Sequence, residues 1–146
     1  MKLNVSTPLA IVVDVDDLVY LRAEDETGSF GILPGHADFL TALAVSVMTW
    51  RDRTGIEHHI AVRGGILEVR WGNTIIVATR EAAYSDDLGQ LETEVLASFH
   101  RAVEEDRAAR VDAQRLYLTA IRHICHFLRA ERSSGGPAIK RSDRSN

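Results

Sequence analysis

The sequence has little cysteine and no long apolar run, and each shortage excludes a class of protein. Of its 146 residues only Cys125 is a cysteine, so neither an intramolecular disulfide framework nor a cysteine-based zinc module can form. No stretch approaches the ~20 apolar residues of a membrane-spanning helix. The first residues, MKLNVSTPLAIVV, lack the charged start, apolar core and cleavage site of a signal peptide. We therefore expect one domain, or one domain with a small appendage, outside the oxidising compartments.

Basic residues are outnumbered by acidic ones, 17 against 21, and almost all of them are arginine. The formal net charge is −4, which argues against nucleic acid as a partner. Acidic side chains dominate residues 1–86, whereas the remainder is nearly balanced and rich in arginine. This asymmetry indicates two pieces with different surfaces.

Apolar and polar side chains alternate over about the first 80 residues, which is the spacing of half-buried strands. The pairs Thr54-Gly55 and Gly64-Gly65 and the triplet Trp71-Gly72-Asn73 separate these runs as turns. Many short strands with tight connections, and no helical period between them, predict an antiparallel β-sandwich over residues 1–84.

Near residue 85 the apolar period lengthens to three and four residues, which predicts helix. One stripe runs from Leu88 to Val103 and a second from Ala113 to Leu128, and the charged residues 104–107 between them include neither Gly nor Pro. One long helix and a hairpin both remain open. Because each stripe is too short to be stable while exposed, we favour a C-terminal α-helical hairpin over residues 85–132. Residues 133–146, SSGGPAIKRSDRSN, are expected to form a disordered tail.

No arrangement of residues typical of catalysis or metal binding emerges. His123, Cys125 and His126 lie together on the predicted helix, but zinc needs three or four protein ligands, so packing and exposed imidazoles explain them better. The acidic residues between positions 14 and 26 lack the spacing of a calcium loop. The sequence also lacks a nucleophile elbow, a P-loop and a dinucleotide-binding glycine motif. We expect no catalytic residue, no metal and no cofactor.

Two features favour a protein contact instead. In GSFGILPGH, the Pro34-Gly35 pair suits a type II turn that would present Phe30, Leu33 and His36 to a partner. Farther on, three arginines recur every seven residues, so a helix would place them in one stripe: Arg115, Arg122 and Arg129. Such a stripe fits either a solvated helix face or docking onto an acidic surface.

Three segments in this order resemble the epsilon subunit of bacterial F-type ATP synthases. They are GSFGILPGHADFLTAL (28–43), AVRGGILEV (61–69) and NTIIVATREA (73–82). The likeness covers about residues 1–130, and its implied architecture, a β-sandwich followed by two helices, agrees with the residue pattern. The resemblance implies a non-catalytic subunit of the central stalk, or rotor. Such a subunit couples rotation of the membrane c-ring, driven by protons or sodium ions, to ATP synthesis in the catalytic head.

The resemblance also implies roles for individual residues. The ring-facing loop would contain Ser29, Phe30, Pro34 and Gly35. The gamma subunit would lie near Ser6, His36 and Thr41. Because many relatives carry an acidic residue where this chain has Ser29, the acidic contact with the ring is expected to move to Glu26. In an extended state the helices would reach the alpha and beta subunits and oppose ATP hydrolysis, with Arg115, Arg122 and Arg129 meeting acidic residues of the beta subunits.

Nucleotide binding is expected to be weak or absent. Some relatives bind ATP through an I/L-D-x-x-R-A motif that opens the first helix. Here Asp87 matches the aspartate, but Gln90 stands at the arginine and Leu91 at the alanine. Losing the guanidinium removes a charge-assisted partner for phosphate.

Two other readings stay open beside the resemblance. The chain could be a free-standing β-sandwich adaptor whose helices recruit another protein, or a small enzyme using His36 or the histidines of HICH. The resemblance places the protein at the cytoplasmic face of the bacterial inner membrane, as a peripheral protein held there by the complex.

Overall fold

A computed structural model describes residues 1–134 of the chain, among which eight strands precede one helical segment. The strands are β1 (Lys2–Ser6), β2 (Ile11–Val15), β3 (Leu18–Asp25), β4 (Gly28–Ile32), β5 (Phe39–Asp52), β6 (Glu57–Arg70), β7 (Thr74–Ala78) and β8 (Ala82–Tyr84). The helical segment consists of α1 (Leu88–Gln90), a π-helical turn (Leu91–Val95) and α2 (Leu96–Ser134). The predicted class, a β-sandwich followed by helix, is confirmed.

The sheet is mixed, whereas the sequence predicted it to be wholly antiparallel. The strand order is β2-β1-β7-β6-β5-β3-β4, and β8 pairs with β6. β1 runs parallel to β7, with Leu3 opposite Ile75, while its other neighbour β2 is antiparallel. Period-two alternation is the same for either strand direction, so the sequence pattern does not show that β1 inserts between β2 and β7.

Two long strands carry the sheet from one layer of the sandwich to the other. Residues 39–43 of β5 pair with residues 65–69 of β6, and farther along the two strands residues 45–51 pair with 57–63. Gly64 and Gly65, both with positive φ, lie where these two stretches of β6 meet. The Gly64-Gly65 pair was predicted to be a turn between strands, and this was wrong. It is a bend within one strand, where the backbone needs a conformation that residues with a Cβ avoid.

The core lies between the two layers and is almost entirely aliphatic. Leu3, Leu21, Met48, Leu67 and Ile75 are among its fully buried side chains. Burying each such side chain stabilises the fold by about 1.5–3 kcal/mol. The predicted strand alternation is responsible, since these residues face inward from their strands.

A second, smaller cluster joins the first helical turns to the outside of the sandwich. Leu91 and Phe99 are buried against Ala61, with Val45 and Val47 beside them. The compact unit formed in this way runs from Met1 to Glu104, past the sandwich boundary predicted at residue 84.

Within residues 1–134, a single long helix takes the place of the helical hairpin that the sequence favoured. Asp87 caps the start by accepting a hydrogen bond from the Gln90 backbone N–H at 3.2 Å. From the π-helical turn onward, α2 continues through residues 104–107 to Ser134. The physical reason is that Glu and Arg are good helix formers, and residues 104–107 contain no Gly or Pro that would break the helix.

The second unit begins at Glu105, and its described part is helical as far as Ser134. Many of its large apolar side chains are exposed: Leu116, Tyr117, Leu118, Ile124, Phe127 and Leu128. Within residues 1–134, no helix is both long and apolar enough to cross a membrane. Residues 135–146, most of the predicted disordered tail, lie outside the described part of the chain.

Candidate partner-binding surfaces

The predicted proline-glycine turn is present and exposed. After the buried Ile32 the chain reverses direction, and the backbone N–H of His36 donates to the Leu33 carbonyl oxygen at 3.2 Å. Gly35 has a φ of 84°, as the third position of a type II turn requires. Leu33 is 58% exposed, and Pro34 and Gly35 are also exposed. The turn therefore presents apolar surface to the outside.

A second turn, between β6 and β7, is fastened to the back of the first. The Gly35 N–H donates to the Gly72 carbonyl oxygen at 2.7 Å, and a Cβ on Gly72 would lie 3.1 Å from the Gly35 Cα. The Asp38 carboxylate accepts a hydrogen bond from the Trp71 backbone N–H at 2.9 Å. Trp71 has a φ of 55° and is 75% exposed. We call Leu33, Pro34, Gly35 and Trp71 the corner surface. The sequence pattern indicated Trp71 only as a turn residue and did not predict that it belongs to a candidate binding surface.

The aromatic side chains of His36 and Phe30 both contact Phe39, the first residue of β5. Both rings meet Phe39 edge-on, with centroid distances of 5.8 Å for His36 and 5.6 Å for Phe30. The Nδ1 atom of His36 lies 2.7 Å from the Ala37 carbonyl oxygen, which makes that nitrogen the donor. His36 is half-buried and takes a structural part in the turn.

Glu26 and Ser29 lie at the opposite end of β4 from the corner. Ser29 and Phe30 of the predicted ring-facing loop lie in the five-residue strand β4, which spans about 16 Å, whereas Pro34 and Gly35 lie in the turn after it. Glu26 is exposed at the tip of the β3–β4 turn, whereas Ser29 lines a cleft between β4 and the first helical turns and accepts a hydrogen bond from Arg22 at 3.4 Å. The sequence-predicted residues therefore form two separate groups.

Thr41 belongs to the β3–β4 end and faces inward. Its hydroxyl donates to Asp25 at 2.8 Å, and Asp25 also accepts two hydrogen bonds from Thr27. These hydrogen bonds, those from Thr27 first, hold the pKa of Asp25 below its usual value. The network fixes the turn that carries Glu26.

Ser6 lies on an outward face of the sheet that is unexpectedly apolar. The register aligns one cross-strand row: Ala42, Ile66, Ala78, Ser6 and Ile11. The next outward row is Leu40, Glu68, Ile76, Asn4 and Asp14. We call these two rows the outer face. Leu40 is 66% exposed and Ile66 is 47% exposed, although the outward positions of a solvated antiparallel sheet are normally polar.

The corner surface and the outer face adjoin one another. A shallow groove of about 500 Å³ runs from Trp71 and Asp38 to Leu40 and Glu68. Because Trp71 and Leu40 line the same groove, one partner can cover both surfaces at once.

The three arginines of the predicted stripe lie on the described helix of the second unit. Arg115, Arg122 and Arg129 are all exposed, and a spacing of seven residues returns each to nearly the same side of a continuous helix. The stripe is therefore intact even though the hairpin is absent.

The residues considered for chemistry or nucleotide binding have other surroundings. In the described part of the chain no group of three or more potential metal ligands comes together, and Cys125 is exposed. Asp87 caps the helix, and Leu91 is fully buried. A buried Leu91 offers nothing to a nucleotide at the position where the motif of relatives has alanine.

Comparison with known proteins identifies the family. The model of the ATP synthase delta/epsilon chain β-sandwich domain matches residues 1–84. The ATP synthase epsilon chain 2 of Paraburkholderia xenovorans strain LB400 is 41% identical over 132 residues, covering 90% of this chain and 95% of the relative. The epsilon chain 2 of Cereibacter sphaeroides is 40% identical over 128 residues, 88% of each chain.

Solved structures show the same fold at low sequence identity. A chain of the Euglena gracilis mitochondrial ATP synthase, in an OSCP/F1/c-ring structure, matches with a TM-score of 0.55 and 21% identity, over 73% of this chain and 62% of that one. A chain from the Tetrahymena thermophila central stalk and c-ring matches with a TM-score of 0.51 and 15% identity, over 70% and 90%. The family match, these relatives and the sandwich-then-helix fold agree: the chain belongs to the ATP synthase delta/epsilon family, as an epsilon chain.

Proposed function

We propose that this epsilon chain is a non-catalytic rotor subunit of the central stalk, coupling rotation of the c-ring to ATP synthesis in the catalytic head. The observation that carries the proposal is the rigid, apolar corner surface, which is pinned from behind by Gly72 and Asp38. Surfaces that transmit torque must dock without deforming, and two turns fastened back to back meet that need. The complex would hold the chain at the cytoplasmic face of the bacterial inner membrane.

The gamma subunit is the proposed partner of the corner surface and the outer face together. Ser6 lies within the outer face, His36 supports the corner, and the groove from Trp71 to Leu40 makes the two surfaces continuous. Pro34 and Gly35, which the resemblance assigned to the ring, therefore belong with gamma in this proposal. An exposed tryptophan beside apolar sheet residues is a typical centre of binding energy.

The c-ring is the proposed partner of the β3–β4 turn. Glu26 is exposed at its tip, and the bonds from Thr27 and Thr41 to Asp25 hold the turn in one conformation. Ser29 lines the cleft beside the helix, so Glu26 is the acidic group better placed to meet the ring. Thr41 acts here through Asp25 and not by touching gamma.

Binding to purified gamma subunit tests this assignment directly. Ile66→Glu places a charge in the middle of the outer face, and Ile56→Glu places one in the exposed β5–β6 turn as the matched control. Because the outward Ile66 leaves the core untouched, both variants should fold. We expect Ile66→Glu to weaken gamma binding at least about tenfold and Ile56→Glu to leave it unchanged. Equal affinities for the two variants would contradict the assignment.

Nucleotide is not expected to regulate the isolated chain through the family's motif. Gln90 lacks the guanidinium, Asp87 is engaged as a cap and Leu91 is buried. Isothermal titration calorimetry with ATP should therefore give no micromolar binding. A micromolar dissociation constant would show that other residues replace the missing arginine.

A further inference from the structure

The turn between β1 and β2 ends in Leu9, which is more exposed than any other large apolar side chain of the described residues. Leu9 is 97% exposed, and Ile11, at the start of β2, is 64% exposed. The eight residues from Ser6 to Val13 include no charged side chain. A single exposed apolar residue is ordinary, but neighbouring ones that extend an apolar sheet face indicate a contact with another molecule.

A β-bulge in β2 turns part of this stretch outward. Val5 of β1 lies opposite Val13. The next residue of β1, Ser6, lies opposite Ile11, so Val12 is an extra residue in β2. Without the extra residue, Ile11 would share a face with the buried Val13, because side chains alternate between the two faces of a strand. A bulge of this kind re-aims a side chain, and here it places an apolar one on the outer face.

Three hydrogen bonds between Thr7 and Ala10 hold the turn in one conformation. The Thr7 backbone N–H donates to the Ala10 carbonyl oxygen at 2.9 Å, and the Thr7 hydroxyl donates to the same oxygen at 3.2 Å. The Ala10 N–H donates to the Thr7 hydroxyl oxygen at 3.3 Å. Between these residues, the ring of Pro8 fixes its φ at about −65°. Leu9 is therefore presented by a preorganised turn, and little conformational entropy is lost when a partner covers it.

The base of the turn is fastened to the end of β7. The Ser6 carbonyl oxygen accepts a hydrogen bond from the Thr79 N–H at 3.0 Å, and the Ser6 hydroxyl donates to the Val77 carbonyl oxygen at 3.4 Å. The turn is thus joined to the same strands that carry the outer face.

The turn continues the outer face on the side remote from the corner surface. Ile11 ends the cross-strand row that begins at Ala42, and four strand spacings, about 19 Å, separate β2 from β5. Trp71 and Leu40 lie at the β5–β6 side of this face. A partner that covers the outer face from Trp71 as far as Ile11 reaches Leu9 next.

We propose that Leu9 is a second anchor for the gamma subunit, which receives it in an apolar socket across the outer face from Trp71. This inference rests on the proposed docking of gamma onto the outer face. An apolar socket is the chemistry that fits, because the turn offers no charge and its backbone and hydroxyl groups are engaged within the turn and with β7. Two separated anchors resist rotation of the sandwich on gamma better than one, as transmission of torque requires.

Binding of the full-length chain to purified gamma subunit tests the anchor through Leu9→Ala. The matched control, Ile56→Ala, removes a side chain that is 57% exposed in the β5–β6 turn. Because neither side chain is in the core, the urea midpoint of both variants should stay close to that of wild type. We expect Leu9→Ala to weaken gamma binding about tenfold and Ile56→Ala to change it less than about twofold. Leu9→Met, which keeps the apolar volume, should stay within about threefold of wild type.

The double variant Leu9→Ala/Trp71→Gly tests whether the two anchors are separate. Sites this far apart contribute independently, so the two losses of affinity should multiply. A combined loss no larger than the greater single loss would overturn the proposal of two anchors.

Full gamma affinity of Leu9→Ala would also overturn it, and Ile66→Glu then shows what else fails. If Ile66→Glu still weakens binding, gamma docks on the outer face without using Leu9. If Ile66→Glu binds normally as well, the gamma assignment itself is wrong. A Leu9→Ala chain that keeps its gamma affinity but binds isolated c-ring more weakly would assign the turn to the ring and contradict the proposal.

Discussion

Among single residues, Trp71 is the one whose position is hardest to explain without a partner. A non-glycine residue in the left-handed region costs about 1–2 kcal/mol, and an exposed indole gains nothing from burial in the free chain. Yet Asp38 holds the Trp71 backbone in that conformation, and Gly72 and Gly35 lock the turn beside it. Because the unfavourable backbone conformation brings no stabilisation in the isolated molecule, we infer that the Trp71 side chain is positioned to bind a partner.

Replacing Trp71 with glycine separates this binding role from stability. Trp71→Gly relieves the unfavourable φ, so we expect the free energy of unfolding to stay the same or rise by up to about 1 kcal/mol. Affinity for gamma should fall about ten- to a hundredfold because the anchor is lost. Denaturant unfolding and a binding assay measure the two quantities, with Ile56→Ala as the control for losing an exposed apolar side chain. A destabilised variant with full affinity would refute this role for Trp71.

Gly65 is the residue whose replacement should damage the fold most directly. A Cβ there would lie 2.2 Å from the Ala78 carbonyl oxygen, and φ is 120°. We expect Gly65→Ala to lower the free energy of unfolding by at least about 3 kcal/mol, because strain in the backbone adds to the steric clash.

The matched control for Gly65→Ala is Gly55→Ala. Gly55 has a φ of 85° with nothing within 4 Å of the added Cβ, so only about 1 kcal/mol should be lost. Urea unfolding of both variants measures the difference. Similar losses would show that β6 does not bend at Gly65 as described.

At the scale of elements, the sequence pattern indicates which residues of a strand face the core but not which strands pair in the sheet. Alternation located the inward residues of several strands, such as the buried Ile75 and Val77, but it also predicted that Leu9 and Ile11 face the core, and both are exposed. Alternation does not encode strand direction, so the parallel pairing of β1 with β7 could not be read from it. The Gly64-Gly65 pair has the composition of a turn, and only the surrounding pairs show that β6 continues through it.

The prediction of a helical hairpin was wrong because the helix propensity of the connecting residues outweighs the cost of exposing an apolar stripe. An exposed apolar stripe is unfavourable, yet the charged residues 104–107 form good helix, and no Gly or Pro interrupts them. The apolar outer face, by contrast, was predictable from the sequence. Ile66-Leu67 and Ile75-Ile76-Val77 are consecutive apolar residues, which a strand with one solvated face would not have.

The first helical turns belong to the sandwich, and this determines where the chain can be shortened. A chain ending at Glu104 keeps Leu91 and Phe99 over Ala61, so its melting temperature should stay within a few degrees of wild type. A chain ending at Tyr84 uncovers that patch and should lose at least about 3 kcal/mol, the contribution of burying Leu91 and Phe99. Thermal unfolding of the two truncated chains decides the point. Equal stability would mean that the second cluster contributes nothing.

At the scale of the whole molecule, the residues that the resemblance placed in one ring-facing loop lie in two separate groups. The exposed turn at Pro34 and Gly35 was predicted from two residues with defined backbone preferences, and it is present. Glu26 and Ser29 were assigned to the same loop, but Ser29 lies within β4 and Glu26 lies before it, so the length of that strand, about 16 Å, separates the Glu26 turn from the corner. Residue spacing along a sequence does not show whether a short segment is a loop or an extended strand, so the two groups could not be distinguished beforehand.

The resemblance implies that the C-terminal helices oppose ATP hydrolysis, and the three arginines assigned to that role lie in the second unit. A chain ending at Glu104 removes Arg115, Arg122 and Arg129 while leaving the first unit intact. Added to a reconstituted catalytic head, this chain should permit a higher ATPase rate than the full-length chain, and replacing the three arginines with glutamine should act in the same direction. Equal rates would remove the inhibitory role and leave the coupling role standing.

Hydroxyl-radical footprinting of the assembled synthase tests the central claim most directly, because it reports the exposure of individual side chains. Trp71, Leu40 and Ile66 are exposed in the free chain, and so is Ile56, which lies outside the proposed gamma contact. We predict that assembly slows oxidation of Trp71, Leu40 and Ile66 several-fold and leaves Ile56 unchanged. Unaltered oxidation of Trp71 and Ile66 in a complex that contains gamma would contradict the proposal that the corner surface and the outer face dock onto that subunit.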